Sequence, residues 1–449
     1  MKKNPRILHI GSNIANNVYL NALFLRENGF SADAISPNYD HPISTPEWER
    51  AEISSENIPH ILKTHKIMGI DPNFTRPSWY QAGPLAEIAK NFGYISKTSN
   101  FGMADKYLKK VLAIVGLLNK YLKYMSVNEF IYFGQLISTF KKVFPNRKDR
   151  LSYEDIIPYI SEIRALKHIF KQYDIIQAYS IAPIHVMLAN KRPYIAFEHG
   201  TIREMPFENS PQSRLTALAY HLADHVFITN NDNNIAAQRL GINNYSPIPH
   251  PIDDYWFRKA PKKPGLKTKI TTIFCPTRHD WSIKGLNQFI LAIPEVAIKS
   301  RRKFEFVFIK WGNDYKKSQK LCTRLRIDKH IRWTEMLTKK DLVQKMLESD
   351  IILDQVILPC MGAIAPEGLQ AGKPVLLSYK DELNNWAYPE SPPLIKVYSK
   401  DNISKALFDL INNPLKAKKI GQKSKKWFNK YHSKEVIVKK TLEVYRKLI

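Results

Sequence analysis

The chain has 449 residues, too long for one ordinary domain and suited to two of α/β size. Its apolar content of 44% is ordinary for a globular protein, but its formal charge of +27 is not, and implies attraction to a polyanion: nucleic acid, anionic lipid or a phosphorylated substrate. Three cysteines, Cys275, Cys322 and Cys360, stand far apart with no C-x-x-C pairing, which argues against a disulfide scaffold and a zinc knuckle and for a reducing compartment. The N-terminal apolar run is too short for a signal peptide, and no segment approaches the ~18 uninterrupted apolar residues needed to span a bilayer. The expectation is a cytoplasmic protein, with a peripheral place on the inner face of a membrane left open.

Arg6–Ile10 reads as a buried strand, Gly11–Asn17 as a turn of small and amide residues, Val18–Asn28 as a helix ended by Gly29, and Ala32–Ser36 as the next strand. Gly11 is a lone glycine, so as a nucleotide fingerprint it is weak. Residues 38–104 carry many Pro, Asn, Tyr and Trp residues and show little periodicity; Pro72–Tyr80 reads as a loop. Residues 105–150 have their own character, with ten Lys/Arg against three acids. Within them Tyr107–Met125 has helical spacing. Leu108, Val111, Leu112, Val115, Leu118 and Leu122 fall on one half of the wheel, and Lys109, Lys120 and Lys123 fall opposite. Such a basic amphipathic helix suits an anionic membrane surface; equally, its apolar face can pack on its own domain.

From Tyr153 strands alternate with helices of ten or so residues: Asp174–Ala178, Tyr194–Phe197, His225–Thr229 and Ser246–Pro249 are the strands. This rhythm predicts a parallel sheet, with sites at the carboxyl ends of its strands. His250–Leu266 is Pro- and Lys-rich and non-periodic, and reads as a linker. A second α/β series follows, with strands Ile270–Cys275, Phe304–Ile309, His330–Thr334, Ile351–Asp354 and Pro374–Leu377. Helices near Ile403–Ile411 and over Lys416–Ile449 close the chain.

Two stretches carry chemistry. Pro276–Gly285, PTRHDWSIKG, follows a strand and opens a helix, placing Arg278 and Lys284 where charge and backbone dipole could hold two phosphates. In Leu353–Tyr379 a Pro- and Gly-broken loop leads into a helix with a single acid, Glu367, and Gly372 reads as the cap. Free N–H groups at a glycine turn into a helix suit a phosphate, and an acid one turn inside suits a ribose.

Glu367 followed by Ala371, Gly372, Lys373, Pro374 and Val375 resembles the donor signature of family 4 retaining glycosyltransferases of the GT-B fold, E-x7-E then A-x-G-x-P-V. Arg278 with Lys284–Gly285 resembles the family's R-x4–6-K-G. The first glutamate of the signature falls at Pro359, a departure that bears on the donor sugar and on catalysis. The resemblance implies an α/β protein of two Rossmann-like domains facing a cleft. The first would span 1–250, with 105–150 as a helical basic insertion, and bind acceptor. A linker, 251–266, would lead to the donor domain, 267–430, and a last helix, 431–449, would cross back.

By the same resemblance the donor is a nucleotide diphosphate-sugar, with no cofactor. Arg278, Lys284 and the backbone at Gly362, Ala363, Ile364 and Ala365 would hold the diphosphate, Glu367 the ribose, and His199, at a strand end in Glu198–His199–Gly200, the sugar as the catalytic residue. Gly11 and Arg203 would face the cleft or the acceptor; Glu198 would do so too, or orient His199, or point away, since neighbours on a strand alternate. His250–Asp253 resembles the family's hinge turn, and Lys310–Trp311–Gly312 sits where members carry G-x-G. The chain has no Asp-x-Asp, so a metal-free reaction is implied. The product would be a glycan or lipid-linked acceptor carrying a hexose-type sugar, in cell-surface polysaccharide or lipopolysaccharide synthesis. A nucleotide-sugar epimerase on the same fold and a catalytically silent membrane-bound relative are the alternatives. A nucleic-acid partner is not expected, because no RNA or DNA module is present and the basic runs lack an aromatic platform.

Overall fold

The computed structural model describes residues 5–37, 41–94, 119–122, 124–261 and 270–449. Seven strands form the first sheet: β1 Arg6–Ile10, β2 Ser31–Pro37, β3 Tyr80–Gly83, β4 Ile175–Tyr179, β5 Tyr194–Glu198, β6 His225–Ile228 and β7 Tyr245–Pro247. Their order is β3-β2-β1-β4-β5-β6-β7, and every pair is parallel. Six more form a second parallel sheet: β8 Ile270–Cys275, β9 Lys303–Ile309, β10 Ile331–Thr334, β11 Ile351–Leu353, β12 Val375–Leu377 and β13 Ile395–Lys396, in the order β10-β9-β8-β11-β12-β13. In each sheet the chain turns back on itself once, between β1 and β4 and between β8 and β11. Crevices at the carboxyl ends of strands open at such reversals. The two Rossmann-like sheets expected from the sequence are both present.

Period-two alternation sorts the first sheet's side chains onto two helical layers. Leu8, Ile176, Ala196 and Val226 face helices Ile160–Phe170 and Pro211–His221. Ile7, Ile175, Ile195 and Phe227 face helix Asn17–Glu27. The last helix, Lys434–Leu448, packs on that second face rather than on its own sheet. Ile437, Val438 and Tyr445 join the cluster, and the Tyr445 hydroxyl donates to Gln177 Oε1 at 2.8 Å. The sequence reads as helical over 416–449, with a last helix at 431–449 crossing back. Two helices are observed, Pro414–Tyr431 and Lys434–Leu448, broken at His432–Ser433, where the chain leaves one half for the other.

Residues 41–94 are more regular than their sequence suggests. They hold helices Pro46–Arg50, Ile58–Thr64 and Leu85–Asn91, besides β3. None is long enough to show a period. A satellite cluster of Trp48, Ile53, Ile58 and Ile61 supports the first two, and Arg76 pairs with Glu47 at 2.7 and 2.9 Å. The linker is likewise not all irregular. Helix Tyr255–Lys259 forms within it, and buried Trp256 donates its indole N–H to Glu49 O at 2.8 Å.

The helix predicted over Tyr107–Met125 lies mostly outside the described residues; only Asn119–Leu122 is described as helical. The following helix, Val127–Val143, opens with a capping box between Ser126 and Glu129. It buries Phe133, Leu136 and Phe140 in the first core, and the Tyr132 hydroxyl donates to Met187 O at 2.6 Å. The apolar face of this helix is therefore spent on its own fold. Among the described residues no helix is long and apolar enough to cross a membrane.

Candidate active site

The reversal between β8 and β11 brings the two singled-out stretches side by side. After β8, the Asp280 carbonyl accepts Lys284 N at 2.9 Å and Gly285 N at 3.1 Å, closing a tight turn. Gly285 has φ +72°, and a Cβ there would lie 2.6 Å from Val356 Cγ2 in the loop after β11. Glycine is thus what lets the two loops touch. The same holds at Gly312, φ +98°, where a Cβ would lie 2.6 Å from His279 N and O. Trp311 fixes this second approach: its carbonyl accepts His279 N at 3.0 Å, and its indole donates to Pro276 O at 3.1 Å.

The turn delivers Lys284 to the loop after β11. Its ammonium donates to Gln355 Oε1 and lies 3.6 Å from where a Cβ on Gly362 would stand. Gln355 in turn donates to Cys360 O at 2.8 Å, so one amide holds both the lysine and the loop. Asp354 sits beneath, 1% exposed, accepting from Thr277 Oγ1 at 3.1 Å. Burial raises its pKa, with Lys284, Thr277 and the Gly362 and Ala365 N–H groups working against that. Its carboxyl is enclosed under the loop, so it offers no outward replacement for the glutamate that Pro359 displaces. Arg278 is placed differently from Lys284. Its side chain is 43% exposed, and its Nε lies 3.5 Å from Asp280 Oδ2.

A cavity of about 200 Å³ lies between the halves. Trp311, Met336, Leu337 and Leu342 give it an apolar wall from the second half, beside Ala363, Ile364 and Glu367. Asn16, Trp48 and Glu49 close it from the first half, and His250 and Ile252 from the crossing. Neither Arg278 nor Lys284 lines it; Ala365, fully buried in the core, does not either. Glu367 is 4% exposed and paired with Lys339, whose Nζ also lies 3.4 Å from Glu49 Oε1. Burial opposes the Lys339 charge, but the two acids outweigh it and hold the ammonium protonated. Neither Lys339 nor Glu49 stood out in the sequence. Each follows a capping threonine, Thr338 and Thr45, which marks a helix start and nothing more.

His199 follows β5, and its Nε2 is buried without a hydrogen bond among the described residues. Burial lowers its pKa to about 4. Burial likewise takes His250 down to about 3, and the charges of His199 and Lys284 add to that. Groups of the first half, the crossing and the second half therefore meet here. Glu198 turns the other way. Fully buried, it accepts from Gly200 N and from Asn233 Nδ2 at 2.6 Å, which braces the turn below His199 instead of facing a substrate. Glu198 is the last residue of β5, and His199 begins the turn beyond it. Arg203 pairs with Asp232 at 3.0 and 3.1 Å and, with it, stands close enough to Cys360 to act on its thiol, which burial pushes well above its usual pKa. Gly11 lines a separate cavity of about 350 Å³ in the first half, with Tyr159, Leu166, Ile181 and His185. Among the described residues no cluster of His, Cys, Asp and Glu could hold a metal ion.

Residues 257–427 match the profile of the family described as Glycosyl transferases group 1. They form a group 1 glycosyltransferase domain. This domain contains both donor-signature stretches, Lys339 and the apolar cavity wall; Glu49 and His199 lie outside it. No curated protein matches the chain in sequence. Solved structures match nearly the whole chain in fold. Sucrose-phosphate synthase from Thermosynechococcus elongatus has a TM-score of 0.56 at 11% identity, covering 99% of each chain. Anabaena Alr3699/HepE, solved with UDP and glucose, has a TM-score of 0.57 at 12% identity, covering 99% of this chain and 100% of its own. A TarM variant from S. aureus, solved with Fondaparinux, alpha-GlcNAc-glycerol and UDP, has a TM-score of 0.57 at 12% identity, covering 98% and 99%. The group 1 domain thus sits within a GT-B fold.

Proposed function

We propose that the chain transfers a hexose-type sugar from a nucleotide diphosphate-sugar to an acceptor hydroxyl, keeping the anomeric configuration. The observation that carries this reading is the interdomain cavity, where Ala363, Ile364 and Glu367 stand beside an apolar wall suited to a nucleobase, with Lys284 held against the same loop at Gly362. Lys284 and the backbone N–H groups of the Gly362–Ala365 stretch stabilise the leaving diphosphate, and Glu367 binds the ribose. Arg278 has a long, half-exposed side chain that swings to the phosphates from its contact with Asp280. His199, neutral at working pH, gives a hydrogen bond to the sugar. Arg203 stands at the acceptor side of the donor loop. UDP is the first nucleotide to test, since HepE and TarM were solved with it.

The acceptor is a glycan or a lipid-linked glycan, in a cell-surface polysaccharide or lipopolysaccharide route. Support for an anionic membrane surface is the +27 charge alone, because helix Val127–Val143 spends its apolar face internally. Thermal stabilisation by a panel of nucleoside diphosphates, followed by product analysis with UDP-glucose and UDP-GlcNAc, tests the reading. A nucleoside diphosphate should raise the melting temperature, since ligand binding to the folded state stabilises it. No shift with any of them defeats the proposal.

A further inference from the structure

Two buried carboxylate oxygens at the cavity lack hydrogen bonds among the described residues: Glu367 Oε2 and Glu49 Oε1. They belong to opposite halves of the chain, and both acids line the same cavity with Lys339 between them. Glu49 is 3% exposed. Its other oxygen, Oε2, accepts from Asn16 Nδ2 at 3.0 Å. Asn16 and Ala15 are both left-handed, at φ +56° and +51°, although neither is glycine. Asn13 holds that turn by donating to Asn16 Oδ1 at 3.0 Å and to Ser44 O at 2.6 Å. A strained, cross-braced turn therefore fixes one oxygen of Glu49, while the other, 3.4 Å from Lys339 Nζ, makes no hydrogen bond among the described residues.

A buried carboxylate oxygen that has an ion-pair neighbour but no hydrogen bond keeps an open acceptor position, which a ligand O–H can fill. Strained backbone of this kind persists where the surroundings over-determine it, often at binding sites. We propose that Glu49 is a donor-binding residue contributed by the first half: with Glu367 it takes the two hydroxyls of the nucleotide's ribose, one acid to each. This rests on the reading of the cleft as the donor site. The chemistry fits a vicinal diol, which brings two O–H donors to two acceptors held by one ammonium. Lys339 neutralises one of the two charges, so the acids can stand together before the ligand arrives. The ribose site would then be complete only when both halves are in place.

The test compares binding of UDP, 2′-deoxy-UDP and 3′-deoxy-UDP by calorimetry to the intact protein and to E49A and E367A. The wild type should prefer UDP over each deoxy analogue by about tenfold or more, the worth of a hydrogen bond to a charged group. E49A should abolish the preference over one analogue, and E367A the preference over the other. Retention of both preferences in E49A overturns the proposal. So does loss in E49A of only the preference that E367A also loses, because Glu49 would then act through Lys339. If E49A does not fold, E49M, of similar length and without an acceptor, is measured in its place. If the wild type binds none of UDP, GDP and ADP, the donor reading itself falls, an outcome distinct from unchanged preferences in a variant that binds.

Discussion

Arg50 grips Asp253 with two hydrogen bonds, at 2.5 and 3.1 Å, joining the first half of the chain to the start of the crossing. Asp253 is 2% exposed at its side chain and Arg50 16%, so water screens the pair little. Arg50 also reaches Glu27 at 2.9 Å and lies over the Tyr255 ring. Replacing Arg50 by Ala strands a buried carboxylate, a change that costs about 3 kcal/mol or more. R50A should melt several degrees lower than wild type by calorimetry, and R50A/D253N should recover part of the loss. An unchanged melting temperature in R50A would show that the pair does not tie the halves together.

Lys284 and Arg278 should separate kinetically. Lys284 is fixed against Gln355 and the Gly362 loop, whereas Arg278 is half exposed beside Asp280. Removing a preorganised cation from a leaving diphosphate costs about 100-fold in turnover. K284A should show that loss with a UDP-sugar donor and R278A a smaller one. Equal losses would mean that Arg278 is already fixed in the working site.

His199 should be neutral throughout the physiological range, because burial takes its pKa down to about 4. The folded value lies below the unfolded one, so the protein binds this proton less readily than the unfolded chain does. The stability from His199 is present above pH 6.5 and is lost as pH falls from there through about 4. An NMR titration of the His199 ring should find a midpoint near 4. A midpoint near 6.5 would mean that the ring is open to water.

Glu198 carries the opposite sign. Burial raises its pKa from 4.5 to about 7, against the pull of the Gly200 N–H. A raised acid stabilises the fold fully below its unfolded pKa and loses that contribution as pH climbs through the folded value. The loss is on the order of 3 kcal/mol between pH 4.5 and 7. E198Q keeps an acceptor for Gly200 N but cannot ionise. Its melting temperature should gain on wild type over that window and run parallel above it. Parallel curves at every pH would show that Glu198 does not titrate there.

The sequence was most legible where a period or a glycine carried the information. Both parallel sheets followed from strands that alternate with helices, and Lys284 and Gly362 do meet, through contacts that Gly285 permits. Glu367 was visible as a lone acid inside a helix start. Its partners were not: Glu49 sits in a five-residue helix too short to show a face, and Lys339 stands among many lysines. Glu198 stayed open between orienting His199, contacting acceptor and pointing away, because position along a strand fixes the face only relative to its neighbours; it is found buried against Gly200 N and Asn233. The helix Tyr255–Lys259 was missed for a related reason: what holds Trp256 is a carbonyl more than two hundred positions earlier. Contacts across such distances leave no local pattern to read.

Helix Lys434–Leu448 has a consequence for how the molecule is made. It fills one face of a sheet whose own strands end at Pro247, yet it is synthesised after the whole second sheet. On the ribosome, the face of the first sheet around Gln177 stays without its Tyr445 contact until that helix emerges. The half built first is the half finished last, and it is the one more exposed to chaperones and proteases during translation.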